Sequence, residues 1–186
     1  MKPINQMRSL PLNVLPVCAR VDFLHFLACD KPAVRTKLPH ELAKSSLEDW
    51  CINNGYILRV DSENFACIAR EAKLAEWILE IDQSHEPHEQ LLGLLLGYPK
   101  CCCDFIASIG ESCIDGFEQQ ITKWNFSGNF KYIDPSNYLI GSSLICHIPC
   151  SSNCQPSLDL ANQAINIIYK HKNESCLTPW LNWLYK

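Results

Sequence analysis

The sequence LLGYPKCCCDFI, residues 95–106, places three consecutive cysteines directly after a Gly-Tyr-Pro turn. Residues 97–99 interrupt the preceding apolar run, and Phe105, Ile106 and Ile109 resume a helical spacing after it. The pattern predicts that the cysteines lie at the amino terminus of a helix. Exposed N–H groups and the helix dipole favour a thiolate at that position, and the thiolate is the form that acts as a nucleophile and as a metal ligand.

Helix geometry limits what three neighbouring thiols can do together. Adjacent helical positions point about 100° apart, so Cys101, Cys102 and Cys103 cannot all face one ion. One or two of them are predicted to bind an ion, while the others pack against or support the site. The alternative is that all three are small apolar side chains at a tight helix junction, because unpaired cysteine is often buried.

A second group of cysteines lies in LICHIPCSSNCQPSLDLANQAINIIYK, residues 144–170. Its candidate ligands are three thiols and an imidazole, those of Cys146, His147, Cys150 and Cys154. The preceding run NYLIGSSLI, residues 137–145, is predicted to be a strand, and a helix is predicted to begin at Pro156 and Ser157. A cysteine-rich loop between a strand and a helix suits an ion, because N–H groups of the helix start can support sulfur ligands.

The spacing of these cysteines is unlike the common metal-binding motifs. A three-residue gap occurs twice, from Cys146 to Cys150 and from Cys150 to Cys154, so the Cys-x2-Cys knuckle of zinc ribbons and the run of bacterial ferredoxins are both absent. The loop of radical enzymes that use S-adenosylmethionine is absent too. The residues therefore predict a two-part site, with one or two thiols from residues 101–103 and two or three ligands from the later loop.

The two segments together resemble a known family. Gly-Tyr-Pro-Lys-Cys-Cys at residues 97–102 and His-Ile-Pro-Cys-Ser-Ser-Asn-Cys at residues 147–154 are similar to the paired motifs of the prokaryotic domain-of-unknown-function family numbered 483. The resemblance covers about the second half of the chain and implies no nameable activity. It implies five matched site positions, namely Cys101, Cys102, His147, Cys150 and Cys154. Cys103 and Cys146 would be additional.

The thiol-rich ligand set suits either a closed tetrahedral zinc ion or an iron–sulfur cluster. A closed zinc site mainly contributes folding free energy, and a chain with an ample core has little need of one, which favours a functional centre. An iron–sulfur cluster is the expected cofactor, with zinc as the alternative. Cys102, Cys150 and Cys154 are predicted to hold it, with Cys101 and His147 as further ligands that have catalytic roles. His147 could be the fourth ligand, a proton donor, or a donor that orients a ligand.

Three functions of different classes follow from this site. The first is an iron–sulfur or thiolate-metal protein, with an enzymatic role on a small-molecule substrate. The second is a structural zinc-binding module that takes part in protein interactions. The third is a metal-free thiol redox protein, in which a cysteine after Pro99 reacts and Cys150 or Cys154 resolves the product.

The predicted fold class is α+β. Three runs rich in β-branched or aromatic residues are predicted strands: residues 20–28, 55–60 and 64–69. Apolar residues at helical spacing predict helices at residues 39–55, 70–83 and 84–97, the last buried on most sides. We expect one domain over residues 1–186, with a small mixed sheet from an α/β part, residues 1–85, and a helical, cysteine-rich, metal-binding part, residues 86–186.

Composition narrows the partners and the compartment. The chain has 186 residues, of which 47% are hydrophobic and 19% charged, and its formal net charge is −4, so nucleic acid is not an expected partner. No signal peptide or membrane span is evident, which predicts a cytoplasmic protein. In a reducing compartment the 12 cysteines indicate metal or thiol chemistry rather than a disulfide framework.

Six cysteines stand isolated among apolar or mixed neighbours. We expect them to be core residues, because a free cysteine is a readily buried small side chain. They are Cys18, Cys29, Cys51, Cys67, Cys113 and Cys176.

Overall fold

The computed structural model describes residues 2–84, 86–110, 131–138, 140–178, 182 and 184. The α-helices are α1 (Lys2–Ser9), α2 (Ala19–Ala28), α3 (Glu41–Asn54), α4 (Ala72–Asp82), α5 (Glu89–Leu95), α6 (Lys100–Ile109) and α7 (Gln155–Lys170). The strands are β1 (Ala33–Lys37), β2 (Ile57–Val60) and β3 (Phe65–Ala69). Short 3-10 helices cover Pro135–Asn137 and Ser175–Leu177.

The sheet has the strand order β1-β3-β2, so the last strand lies in the middle. Both pairings are antiparallel, and Cys67 of β3 lies opposite Arg35 on one side and Arg59 on the other. Since successive side chains of a strand point to opposite faces, Ala66 and Ile68 enter the main core, while Cys67 faces α4 and α5. The predicted α+β class is confirmed, although the sheet is antiparallel throughout rather than mixed.

The prediction of a strand at residues 20–28 is wrong, because this segment forms α2. Eight of the ten residues of α2 are buried, so the helix lacks the polar face that would have revealed a period of 3.6 residues. A short apolar run rich in aromatic residues does not distinguish a buried helix from a strand. The first strand is instead Ala33–Lys37, which the sequence reading missed.

Most of the other predicted elements of the first half are confirmed. Residues 39–55 contain α3, which begins after His40, whose Nδ1 accepts a hydrogen bond from the Ala43 N–H. Gly55 ends α3 in the left-handed conformation. The strands predicted within 55–60 and 64–69 and the helix predicted within 70–83 are β2, β3 and α4.

Two predictions about the second half are wrong. Helix α5 was expected to be buried on most sides, but of its residues only Gly93 is buried, while Leu91 and Leu94 are 38% and 41% exposed. The predicted strand at 137–145 is a series of turns in its described residues, where the Asn137 carbonyl accepts the Ser142 and Ser143 N–H groups. These local hydrogen bonds satisfy the backbone without a partner strand.

A tight turn joins α5 to α6 and sets the direction of α6. Gly97 has a φ of 80°, and the Tyr98 N–H donates to the Gly93 carbonyl. Pro99 is the residue that precedes α6, and its carbonyl accepts the Cys102 and Cys103 N–H groups. The turn therefore folds α6 back onto α5 and presents the start of α6 to the loop before α7.

The main hydrophobic core draws on both halves of the chain. Phe23 and Phe26 of α2 and Ile68 of β3 belong to the same buried cluster as Cys102 and Cys154. In the described residues, no helix has the length and apolar character needed to cross a membrane.

Candidate metal centre

The start of α6 separates its three cysteines by exposure. Cys102 and Cys103 are buried and Cys101 is exposed, as the turn of about 100° per residue requires. Cys102 points toward the loop before α7, whereas Cys103 lies against α5. The predicted helix start and the prediction that the three thiols point in different directions are both confirmed.

The loop before α7 supplies the second pair of thiols. Cys150 is half-buried in it, and the buried Cys154 directly precedes the first residue of α7, Gln155. The Cys154 N–H donates to the Ser151 carbonyl, which closes a turn between the two cysteines. Pro156 near the start of α7 suits the first helical turn, where its missing N–H costs no hydrogen bond.

Four sulfur atoms meet where α6 approaches this loop. The Sγ atoms of Cys101, Cys102, Cys150 and Cys154 all lie within 4.8 Å of one another. Cys102 Sγ is 3.5 Å from Cys154 Sγ and 3.9 Å from Cys101 Sγ, and Cys101 Sγ is 3.8 Å from Cys154 Sγ. Four of the five predicted ligands are thus close enough together to bind a metal ion.

Ser157, on the first turn of α7, supports two of these sulfurs. Its hydroxyl donates to Cys154 Sγ at 3.2 Å and lies 3.4 Å from Cys102 Sγ. Burial would raise the pKa of the Cys154 thiol, but hydrogen bonds from the Ser157 side chain and N–H, and from Cys102 and Cys150, lower that pKa to about 7. Cys154 is therefore readily deprotonated, as metal binding requires.

Cys150 and Cys102, which also belong to the four-sulfur group, have raised thiol pKa values. Burial raises the pKa of Cys150 to about 11, and the neighbouring thiols Cys154 and Cys101 add to the effect. Burial also raises the pKa of Cys102 well above its ordinary value, against hydrogen bonds from Ser157 and the Cys150 backbone. A cation bound among the four sulfurs would displace protons from these thiols.

His147, the fifth predicted ligand, is linked to the four sulfurs through Ser157. Its Nε2 is 2.8 Å from Ser157 Oγ, and its ring packs on that of Tyr98 with 5.3 Å between centroids. Burial, then the charges of Lys31 and His25, lower the pKa of His147 to about 3, so the ring is neutral. Because the Ser157 O–H donates to Cys154, its oxygen accepts from Nε2–H, which leaves a lone pair on Nδ1.

The atom His147 Nδ1 is buried and has no hydrogen-bond partner among the described residues. A cavity of about 370 Å³ lies beside this histidine and reaches Cys102. Its walls include Arg35, Leu92, Tyr98 and Cys103. The four-sulfur group is therefore adjacent to a space large enough for a small molecule.

Cys103 and Cys146, which the sequence left undecided as ligands, lie outside the four-sulfur group. Cys103 Sγ contacts the Tyr98 carbonyl at 3.7 Å and packs against Gly93 of α5. Cys146 hydrogen bonds with Asp22 and Lys31, and burial raises the pKa of its thiol to about 12. Both have structural contacts of their own.

The isolated cysteines divide by burial. Cys51 and Cys67 are buried, as expected, and burial raises the pKa of each to about 12. Cys18, Cys29 and Cys176 are half-buried rather than core residues. Cys113 lies outside the described residues.

The sequence reading missed a buried ion pair that lies near Cys146. Lys31 Nζ is 3.4 Å from Asp22 Oδ1, donates to the Leu96 carbonyl at 2.9 Å and lies over the Tyr98 ring. The Tyr138 hydroxyl donates to Asp22 Oδ2 at 2.9 Å. The only sequence signal for this pair was Asp22, a carboxylate inside the apolar run at 20–28. It indicates a buried ion pair only once that run is known to be a buried helix.

Comparison of the chain with protein-family models, with curated proteins and with solved structures finds no match. The resemblance to the domain-of-unknown-function family numbered 483 therefore stays a prediction from the two motifs. The ligand of the four-sulfur group is inferred from the geometry of the chain itself.

Proposed function

We propose that the protein binds one zinc ion through Cys101, Cys102, Cys150 and Cys154. The observation that carries this proposal is the sulfur spacing, which is 3.5–3.9 Å among Cys101, Cys102 and Cys154, with Cys150 Sγ within 4.8 Å of each of them. Tetrahedral geometry with Zn–S bonds of about 2.3 Å separates ligand sulfurs by about 3.8 Å. Four thiolates around one ion form the closed arrangement of structural zinc sites.

An iron–sulfur cluster, favoured by the sequence reading, is the alternative occupant. In a four-iron cluster each cysteine binds a different iron, so the ligand sulfurs lie farther apart than four sulfurs on one ion. The close spacing supports a single ion. The convergence of four thiols also argues against a metal-free thiol redox protein, since a redox pair needs only two thiols.

The proposed role of the ion is to join two separate segments of the chain. Cys101 and Cys102 belong to α6, whereas Cys150 and Cys154 belong to the loop before α7. Among the described residues no strand pairs with that loop, and metal binding would contribute directly to its folding free energy. Reduced thiols are required, which suits the cytoplasm as the proposed location.

Adjacent cysteines of α6 provide a matched test of this proposal. Cys102→Ser removes a sulfur of the group, while Cys103→Ser alters a buried neighbour whose thiol contacts Tyr98 instead. We expect one zinc per chain in the wild type and in Cys103→Ser, with strongly reduced zinc in Cys102→Ser. The measurement is zinc, iron and sulfide analysis with a visible spectrum on protein purified without oxygen.

The outcomes separate the alternatives. Iron with stoichiometric sulfide and absorbance near ~400 nm would replace zinc by a cluster. Full zinc content in Cys102→Ser, or no metal in the wild type, contradicts the proposed ligand set.

A second candidate function is small-molecule chemistry beside the centre, and the 370 Å³ cavity is the observation that favours it. Leu92 lines the cavity, whereas the adjacent Leu91 is exposed on α5. We expect native mass spectrometry to detect a bound small molecule on the wild type and on Leu91→Trp. The same molecule should be absent from Leu92→Trp. A wild type that carries no small molecule from the cell speaks against this function.

A further inference from the structure

The cavity of about 370 Å³ beside the four-sulfur group has an ion pair in its wall. Arg35 of β1 donates from Nε to Oδ2 of Asp82, the last residue of α4, at 2.7 Å. The Asp82 side chain is 7% exposed and that of Arg35 is 28% exposed, so water reaches the pair only in part. Hydrogen bonds between a bound molecule and ionised groups are strong in such surroundings.

The wall offers hydrogen bonds of both kinds. The pair uses one N–H of Arg35 and one oxygen of Asp82, while a guanidinium carries further N–H donors and a carboxylate has a second oxygen. His147 adds an acceptor, because its buried Nδ1 has no hydrogen-bond partner among the described residues. Glu89 adds a second carboxylate, which disfavours a ligand that carries negative charge alone. The donors of Arg35 suit a ligand carboxylate, and the acceptors in the wall suit a ligand ammonium group.

Much of the remaining cavity wall is apolar. Leu92 belongs to α5, Leu96 directly follows that helix, Ile106 belongs to α6, and Ile148 lies in the loop before α7. An apolar group that lies among these side chains is removed from water, which favours binding. The volume is near the lower end of the range of about 300–1,000 Å³ that small-molecule sites span, so the cavity suits a compact ligand.

We propose that this cavity binds a free α-amino acid with an apolar side chain, such as leucine. The ligand carboxylate accepts from Arg35, the ammonium group donates to Asp82, and the side chain lies among Leu92, Leu96 and Ile106. A ligand with only one of the two charges would leave either the cation or the carboxylate of the pair without a partner on the bound molecule. This inference rests on the second proposed function, that the cavity takes a small molecule, and it is independent of the zinc ion.

Equilibrium dialysis of the full chain with labelled L-leucine tests the proposal. Two competitors isolate the charges, because isocaproate lacks only the ammonium group and isoamylamine lacks only the carboxylate. We expect leucine to bind, and each competitor to bind more weakly by on the order of tenfold or more, the loss that follows from one missing charged hydrogen bond. A competitor that binds as tightly as leucine would overturn the requirement for both charges.

Arg35→Met and Arg59→Met form a matched pair of variants. Both arginines lie opposite Cys67 of β3 and pair with a carboxylate of α4, and of the two it is Arg35 that lines the cavity. We expect leucine affinity to fall on the order of tenfold or more in Arg35→Met and to stay unchanged in Arg59→Met. Equal affinity in the two variants would contradict the role of Arg35.

Two substitutions on α5 locate the bound leucine independently of the ion pair. Leu92→Trp fills the cavity and should abolish leucine binding, whereas Leu91→Trp alters an exposed side chain and should retain it. Leucine that binds both variants equally occupies another surface, which overturns the inference.

The inference and the second proposed function fail in different ways. Protein that binds no leucine but carries another small molecule from the cell overturns the amino-acid class and leaves the second function standing. Protein that binds no leucine and carries no small molecule contradicts both.

Discussion

A single hydroxyl connects the histidine of the second motif to the sulfurs. Ser157 is completely buried, accepts from His147 Nε2–H, donates to Cys154 Sγ and lies 3.4 Å from Cys102 Sγ. The histidine that looked like a ligand in the sequence thus contacts the group through Ser157. Such indirect contacts orient ligands and tune their basicity.

Replacing Ser157 with Ala should weaken metal binding without removing a sulfur. The substitution deletes the hydroxyl donor to Cys154 and leaves His147 Nε2–H without its acceptor, so zinc affinity should fall by about 10–100-fold. Ser151→Ala is the control, because the Ser151 hydroxyl donates to Asn153 in the same loop and not to a sulfur. Chelator competition measures both affinities, and equal losses in the two variants would show that Ser157 has no special role.

His25 makes the stability of the fold depend on pH. Burial, and the nearby Lys31 charge, lower the pKa of His25 to about 4, although the ring donates to the Leu144 carbonyl at 2.8 Å. The folded pKa lies below the unfolded value of about 6.5, so the unfolded chain binds the proton first as pH falls. The contribution is complete above about pH 6.5 and is lost toward pH 4, with a total of about 3 kcal/mol.

This pH dependence is measured by urea unfolding between pH 7 and pH 4, roughly the interval in which the His25 proton is gained. His25→Gln keeps a side-chain donor but cannot titrate, so its stability should fall less steeply with decreasing pH than that of the wild type. His147 and the thiols of the proposed metal site titrate in both proteins, and the difference between the two curves isolates His25. Parallel curves would contradict the assignment.

The turn between α5 and α6 positions Cys101 and Cys102, two of the four thiols of the proposed metal centre. Gly97 there has a φ of 80°, and a Cβ at this position would lie 2.5 Å from Pro32 Cδ. Gly55, after α3, also has a positive φ of 75° but open space around it. Any L-residue would therefore be strained at either position, but only at position 97 would its Cβ also clash with a neighbour.

Gly97→Ala should consequently destabilise the protein more than Gly55→Ala. The control should lose about 1 kcal/mol from left-handed strain, while Gly97→Ala adds a clash with Pro32 that only a movement of the turn can relieve. Urea unfolding of both variants gives the two losses, and chelator competition shows whether α6 has shifted. Equal losses and an unchanged zinc affinity would mean that the turn adapts freely.

The elements that the sequence predicted correctly carry local signals. Pro156 at a helix start, Gly55 at a helix end and the Gly-Tyr-Pro break before α6 act through backbone geometry over a few residues. Helix α2 carries no such signal, because its burial depends on the elements packed around it. Eight of the ten residues of α2 are buried, Asp22 and His25 among them, so no polar face marks its helical period.

The same distinction applies to the candidate site. The residues alone predict a two-part site, because two short segments hold so many thiols, and the family resemblance implies its positions as Cys101, Cys102, His147, Cys150 and Cys154. The exclusion of Cys103 and Cys146, in contrast, depends on which neighbour each thiol meets in the fold, the Tyr98 carbonyl and the Asp22–Lys31 pair. Tertiary contacts of this kind have no period or spacing in the sequence.

At the scale of the whole molecule, the Asp22–Lys31 pair joins segments that are far apart in the chain. Lys31 follows α2 and donates to the carbonyl of Leu96 at the end of α5, while Asp22 of α2 accepts from Tyr138. Burial raises the pKa of Asp22, and the Lys31 charge, the Tyr138 hydroxyl and the remaining hydrogen bonds oppose that shift. The pair therefore depends on both partners being present.

Lys31→Met should destabilise the protein strongly, because it leaves the Asp22 carboxylate buried without its cation, at a cost of about 3–5 kcal/mol. Asp22→Asn combined with Lys31→Met should recover part of this loss, since no buried charge remains and the amide can still accept from Tyr138. Arg59→Met is the matched control, because its ion pair with Glu76 is 43% and 50% exposed and should contribute only about 0–1 kcal/mol. Urea unfolding of the three variants measures these differences. If Lys31→Met and Arg59→Met lost the same stability, or if the double variant were the least stable, the pair would not hold the two halves of the chain together in the way its contacts indicate.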